Sequence, residues 1–263
     1  MTDVIHPSQT IHRVMHEIKR RRLEVLRVVE LTPRMRRITL GGPELAEFVS
    51  LGTDDHVKLL FPQNAAERAA LETLVLGAGK SDVPMPAMRD YTPRRYDLDS
   101  LEMDIDFVLH GDGPASTWAE QATPGQFLHI GGPRGSMIVP DIFDSYLLIG
   151  DETALPAIAR RLEGLAANRR ALVIVEVENG KEQQTLQSAA EFNVIWVLRE
   201  GGKDHLLTTV RQVRIPTGSL YAWVATESKV SRQIRRVLLD EHGLDEQFVK
   251  AVGYWRLDDT DEQ

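Results

Sequence analysis

The segment Met103-Asp104-Ile105-Asp106-Phe107-Val108-Leu109 alternates apolar and polar side chains. A period of two predicts a half-buried antiparallel strand, with Asp104 and Asp106 together on its solvent face. Leu23–Val29, Met35–Leu40, Val57–Phe61, Phe127–Ile130 and Met137–Val139 read as further short strands. Turns separate them, at Gly41-Gly42-Pro43 and at Gly131-Gly132-Pro133-Arg134-Gly135. Many short strands joined by Gly/Pro turns predict a closed antiparallel β-barrel. Residues 63–88 read as a long loop over this barrel, with a short helix within Ala65–Leu74. Near Asp144 the pattern changes. Tyr146–Ile149 is a continuous apolar run, as expected of a parallel strand buried on both faces. Strands at Leu172–Val177, Val194–Leu198, Tyr221–Ala225 and Val249–Tyr254 alternate with helices at Thr153–Ala167, near Asp204–Val213 and at Ser228–His242. This alternation predicts right-handed crossovers and a parallel α/β sheet. The chain is therefore divided into an extension (1–20), an antiparallel barrel domain (21–143) and an α/β domain (144–263).

Composition narrows the function. The chain has 263 residues, a formal net charge of −8 and no cysteine. The negative charge argues against general nucleic-acid binding. No apolar run approaches the roughly 18 residues of a membrane span, and the N-terminus lacks the apolar core of a secretory signal. A cytoplasmic monomer is the expectation. Without cysteines, redox chemistry must come from a bound cofactor. His6, His12 and His16 have no carboxylate or thiol to complete a metal site. Asp54 and Asp55 point to opposite faces of a strand, so neither they nor His56 are assigned a metal. The run Lys19-Arg20-Arg21-Arg22 is read as a solvated approach to the first strand.

Three stretches carry candidate chemistry. In Arg89-Asp90-Tyr91-Thr92-Pro93-Arg94, Arg89 and Tyr91 share a strand face. Tyr91 can lay its ring on a flat isoalloxazine, Arg89 can fork two hydrogen bonds to a phosphate, and Thr92 offers a hydroxyl and an N–H beside the ring. Pro93 has no N–H for a sheet neighbour, so the strand is expected to end there. The second stretch runs from His110 to Ala119. Thr117 and Glu120 have capping-box spacing, so a helix is expected to begin at Thr117. Gly113, Ala115 and Ser116 are small enough to let a pyrophosphate approach the backbone near a helix start. The third is Gly150-Asp151-Glu152-Thr153-Ala154, where the first strand of the α/β domain feeds its helix and a dinucleotide phosphate docks. It is not Gly-x-Gly-x-x-Gly. Asp151 can cap the helix, and Asp151 with Glu152 would repel a tightly held pyrophosphate, so a weak, transient nicotinamide site is expected.

Together these stretches resemble the ferredoxin–NADP reductase superfamily. Within it, the chain is similar to the siderophore-interacting proteins, NAD(P)H-dependent ferric-siderophore reductases. The resemblance is carried, in order, by Asp54-Asp55-His56-Val57-Lys58, Arg89-Asp90-Tyr91-Thr92, His110 to Trp118, Gly132-Pro133-Arg134-Gly135-Ser136, Gly150 to Pro156, and Gly253-Tyr254-Trp255. It implies a ferredoxin reductase-like fold, with FAD in the barrel domain and NADPH or NADH as donor to the α/β domain. Electrons would pass through the flavin to siderophore-bound Fe(III), releasing Fe(II). The implied cofactor-binding residues are Arg89, Asp90, Tyr91, Thr92, His110, Asp112, Gly113, Ala115, Ser116, Thr117, Asp151, Glu152, Thr153, Tyr254 and Trp255. No protein metal ligand and no catalytic side chain beyond the flavin is implied. Lys58, Arg134 and Lys250 occupy positions of a cationic cluster suited to an anionic iron chelate. Trp255 can cover the flavin or pack at a domain interface. Lys181 is a weak pointer to a 2′-phosphate. Two other functions stay open: a general NAD(P)H:flavin or ferredoxin-type reductase, and a non-enzymatic siderophore-binding protein.

Overall fold

The computed structural model describes residues 10–74, 76, 84–111, 113–201 and 205–257. They form two compact units, Met1–Pro140 and Asp141–Gln263.

The first unit holds β1 (His12–Met15), β2 (Arg20–Thr32), β3 (Met35–Gly41), β4 (Val57–Phe61), α1 (Ala65–Leu71), β5 (Ala87–Tyr91), β6 (Pro93–Asp97), β7 (Glu102–Val108), α2 (Pro114–Gln121), β8 (Phe127–Gly131) and β9 (Gly135–Ile138). Seven strands form one antiparallel sheet in the order β5-β4-β8-β2-β3-β7-β6, and β1 pairs with β9. The two edge strands, β5 and β6, are consecutive in the chain and separated only by Thr92. The sheet must therefore curl until its edges meet, which makes it a barrel joined at that seam by the chain itself. Pro93 is where the partner changes: β5 pairs with β4, and β6 pairs with β7. The barrel interior is filled by Leu23, Val25, Ile38, Leu40, Val57, Leu59, Ile105 and Phe107. Leu71 and Leu74 cover Leu60 on another face, so the start of the 63–88 segment packs down as expected.

Two expectations about charged residues change here. Asp104 and Asp106 share a face, yet they are only 6% and 5% exposed. Arg37 clamps Asp106 through two bonds of 2.7 and 2.8 Å, and Asp104 takes Thr39 Oγ1 at 2.7 Å and Arg95 Nε at 3.1 Å. The cations that cover these acids come from β3 and β6, so the β7 pattern alone could not show them. Arg20–Arg22 likewise are no solvated approach to a strand; they open β2, opposite Gly131–His129 of β8, and the segment read as an extension itself holds β1. Arg21 is buried, and its guanidinium donates to the carbonyls of Glu44 and Gly132 at 2.9 and 3.1 Å.

The second unit holds β10 (Ser145–Asp151), α3 (Leu155–Glu163), β11 (Arg170–Val177), β12 (Glu191–Leu198), α4 (His205–Gln212), β13 (Leu220–Glu227), α5 (Ser228–Arg236) and β14 (Val249–Trp255). All five strands are parallel, in the order β12-β11-β10-β13-β14. The chain moves outward from β10 to β12, then returns to continue on the other side with β13 and β14. This reversal leaves a topological switch point at the carboxyl ends of β10 and β13, where such sheets take ligands. The helix expected over Thr153–Ala167 starts as a single 3-10 turn and ends at Glu163. It stops because Gly164 caps it and Asp141 accepts the N–H of Ala166 at 3.0 Å. The α5 helix runs on through a wider π-turn at Val237–Glu241, close to the expected end at His242. Asp204, expected at the start of α4, lies outside the described residues.

Candidate functional site

In the first unit the candidate site begins on β5. Arg89 stands opposite Leu59 and Tyr91 opposite Val57, so the two share a face as the alternation requires. Tyr91 is half-buried, with its ring 4.6 Å from that of Phe107. Phe107 in turn packs 5.7 Å from Trp118 of α2. Desolvation pushes the Tyr91 hydroxyl pKa up, so it stays protonated. Arg89 is exposed and, among the described residues, its Nη1 donates to the carbonyl of Met88, at 2.9 Å. Thr92 is buried at the seam. Asp90 points to the opposite face, where Lys58 Nζ meets its two carboxylate oxygens at 2.8 and 3.1 Å. Thus the structure joins an expected cofactor residue to an expected substrate cation in one half-exposed ion pair.

The α2 helix begins at Pro114, three residues before the expected start. Gly113 precedes it at φ +105°, and the Thr117 N–H already bonds to the Gly113 carbonyl at 3.0 Å. Thr117 and Glu120 are therefore interior residues, and the spacing that suggested a capping box sits within the helix. Among the described residues no side chain caps this helix start. Ala115 and Ser116 are buried; Ser116 Oγ accepts the N–H of His110 at 3.1 Å and braces the preceding loop. Thr117 faces a cleft of about 600 Å³ that Phe61, Arg68, Gly113, Trp118 and His129 also line. His129 was not anticipated. Its Nδ1 accepts from Arg20 Nη1 at 2.8 Å, and burial followed by that guanidinium holds its pKa below the usual histidine range. Asp112 lies outside the described residues. Arg134 is exposed at the turn between β8 and β9.

In the second unit, Asp151 and Glu152 end β10 beside the switch point. Asp151 is buried. Its Oδ1 accepts from Thr153 N at 2.9 Å and Thr153 Oγ1 at 2.5 Å, and its Oδ2 accepts from Trp255 Nε1 at 2.8 Å. Burial pushes its pKa up to about 6 against these hydrogen bonds. Glu152 is gripped by Arg199 through contacts of 2.9 and 3.0 Å. Arg199 also bonds Glu176 and Glu178, at 3.2 and 2.9 Å. Both acids of the turn are thus engaged inside the protein, but Asp151 has only neutral donors and Arg199 is shared among three carboxylates, so the turn keeps its negative charge. Arg199 was missed because its three carboxylates come from two other segments, the β10 turn and the end of β11. Trp255 is 39% exposed while its indole N–H is tied to Asp151. Tyr254 packs edge-on to Trp223, with centroids 6.0 Å apart. At the end of β13, Glu227 caps α5 through Oε2, and its Oε1 is buried with no hydrogen-bond partner among the described residues. Lys250 lies on β14 opposite Trp223.

Residues 24–137 match a family profile described as the siderophore-interacting FAD-binding domain, and residues 143–258 match one described as siderophore-interacting protein. The chain belongs to the siderophore-interacting protein family. It is 37% identical to the NADPH-dependent ferric-chelate reductase of Escherichia coli, over 92% of this chain and 95% of that one. It is 29% identical to the ferric vibriobactin reductase of Vibrio cholerae, over 92% and 91%. Among solved structures it resembles a siderophore utilization protein from T. fusca, with 37% identity, 95% and 99% coverage, and a TM-score of 0.84. Barrel first and parallel α/β sheet second is the ferredoxin reductase-like plan.

Proposed function

We propose that this chain is an FAD-dependent ferric-siderophore reductase, using NADPH or NADH to reduce siderophore-bound Fe(III) and release Fe(II). The observation that carries the reading is the β5 platform. It offers a half-buried Tyr91 ring backed by Phe107, and on the same face an exposed guanidinium with spare donors at Arg89. The uncapped start of α2 at Gly113 adds a second place for an anion, which suits a dinucleotide flavin better than a mononucleotide. These features fit FAD. When bound, FAD supplies the exchange between a two-electron hydride donor and one-electron iron reduction.

The side chains provide holding and charge. Tyr91 and Arg89 orient ring and phosphate, and Ser116 fixes the His110 loop. Asp151 and Thr153 order the turn at the switch point, where the nicotinamide nucleotide is proposed to dock, with Tyr254 and Trp255 beside it. Lys58 and Arg134 in the first unit, and Lys250 in the second, are each proposed to attract an anionic chelate. No side chain donates or takes a proton in the iron step, because the transferred species is an electron. We place the enzyme in the cytoplasm as a monomer. Among the described residues no helix is long and apolar enough to cross a membrane.

The test is anaerobic. Purified protein should release FAD on denaturation. NADPH or NADH should bleach the bound flavin, and a ferric tris-catecholate should restore its colour. Release of FMN, or of no flavin, would refute the reading. Bleaching without reoxidation by iron chelates would leave a general flavin reductase, and chelate binding without bleaching a non-enzymatic carrier.

A further inference from the structure

The Arg134 turn is held in place by a hydrogen-bonded chain that reaches back to the start of the polypeptide. Strand β1 lies along β9 in the register Val14–Ser136 and Met15–Gly135. The approach is close: a Cβ on Gly135 would meet the Val14 carbonyl at 2.7 Å and Met15 Sδ at 3.2 Å. Just beyond β1, the His16 N–H donates to the Arg134 carbonyl at 2.9 Å. The His16 ring then contacts Ser136 Oγ through Nε2 at 2.7 Å. Ser136 Oγ in turn donates to Asp55 Oδ2 at 2.5 Å and accepts from the Leu51 N–H at 3.1 Å.

Counting hydrogens fixes the direction of the chain. A serine hydroxyl has one hydrogen and two lone pairs. Its hydrogen goes to Asp55 and one lone pair takes Leu51 N–H, so the remaining lone pair must accept from His16 Nε2–H. Asp55 is only 3% exposed, and its Oδ2 also receives Ser50 Oγ and Gly52 N–H, both at 3.0 Å. The order is Asp55–Ser136–His16, with a fully buried serine in the middle. It lacks the histidine-centred arrangement that activates a nucleophile. What it can do is fix geometry. One branch of His16 grips the Arg134 carbonyl, and the other is anchored through Ser136 to the loop before Lys58.

We infer that His16 is a positioning residue for the substrate cation Arg134, holding its turn at a set orientation through the Asp55–Ser136–His16 chain. The inference rests on the proposed role of Arg134 in binding an anionic ferric chelate. It gives the N-terminal strand a part in substrate recognition.

The test uses the holoenzyme and steady-state reduction of a ferric tris-catecholate and of a neutral ferric trihydroxamate. His16→Leu should raise KM for the anionic chelate roughly 3- to 10-fold, as loss of one ordered charge contact would, with kcat and nicotinamide-to-flavin reduction unchanged. His16→Gln should restore KM, because its amide N–H reaches about as far as Nε2. His16→Asn is polar but shorter, so it should behave like Leu; if the Leu variant does not fold, the Gln/Asn pair carries the comparison. In an Arg134→Ala background His16→Leu should add nothing further. A normal KM in His16→Leu, equal losses for both chelates, or additive losses with Arg134→Ala would overturn the positioning role. Arg134→Ala without effect on KM would instead overturn the placement of Arg134 at the substrate.

Discussion

Single residues carry the sharpest consequences. Arg89→Ala removes a charge-assisted phosphate contact, so FAD retention should fall by about 1.5–3 kcal/mol, read from flavin release during dilution. Wild-type affinity would refute the phosphate role. The Lys58–Asp90 pair is half-exposed, so breaking it should change stability by less than about 1 kcal/mol. Its two members should nevertheless act oppositely on the substrate. Asp90→Asn frees the Lys58 charge and should lower KM for an anionic chelate, whereas Lys58→Ala should raise it. A change of the same sign in both variants would mean the pair serves the strand contact alone. Asp151 gives a pH signature. Burial raises its folded-state pKa to about 6, above the roughly 3.9 of an unfolded aspartate. Between these values the folded state holds a proton that the unfolded chain has lost, so this group's contribution to stability falls as pH rises from about 4 to about 6. Above that window the cost is up to about 3 kcal/mol at 1.36 kcal/mol per unit. Denaturant unfolding of wild type and Asp151→Asn should show a difference that grows in favour of the variant across this range. A parallel pair of curves would show that Asp151 titrates normally.

At the scale of elements, the α2 start matters most. Gly113 sits at φ +105° with room for a Cβ, since the nearest atom would be His110 Cε1 at 3.5 Å. Gly113→Ala therefore tests backbone strain more than crowding. It should cost about 1–3 kcal/mol, seen as a lower thermal midpoint, and should loosen FAD by tilting the helix start. An unchanged midpoint would mean the turn relaxes freely. The β10 turn shows the opposite strategy. Asp151, Thr153 and Trp255 tie the end of one strand to the end of another, while Arg199 ties Glu152 to β11. The element boundaries of β10–β14 were largely visible in the apolar runs, because a parallel strand must be apolar on both faces. The start of α2 was misread because a Thr/Glu pair at the right spacing also occurs inside helices, and the glycine and proline before it outweighed that signal.

For the whole molecule, charge distribution is the issue. The chain carries −8 overall, yet its proposed substrate site is cationic. If Lys58, Arg134 and Lys250 all serve an anionic chelate, their attraction is screened by salt. The triple alanine variant should lose most of the salt dependence of iron reduction and leave nicotinamide-to-flavin reduction nearly unchanged. Stopped-flow reoxidation of the reduced enzyme by anionic and neutral chelates, at low and high salt, checks this. Equal losses for both chelates would assign the three residues to the fold or the flavin.

Except for β1, β6 and the start of α2, periodicity and turn residues showed where strands and helices lie and that a barrel precedes a parallel sheet. These features depend on neighbours a few positions apart, and one sequence displays them. The motif residues Arg89, Tyr91 and Gly113 were legible for the same reason: their spacing places them on one strand face or at one helix start. Only the tertiary structure decided which charges are free. Asp104 and Asp106 look like a solvent face until Arg37 and Arg95 cover them, and Lys58 looks like a lone cation until Asp90 meets it. Asp151 and Glu152 show no long-range partner until Trp255 and Arg199, respectively 104 and 47 residues away, engage them. A carboxylate's environment is set by atoms within a few ångströms, and in this fold those atoms arrive from distant parts of the chain.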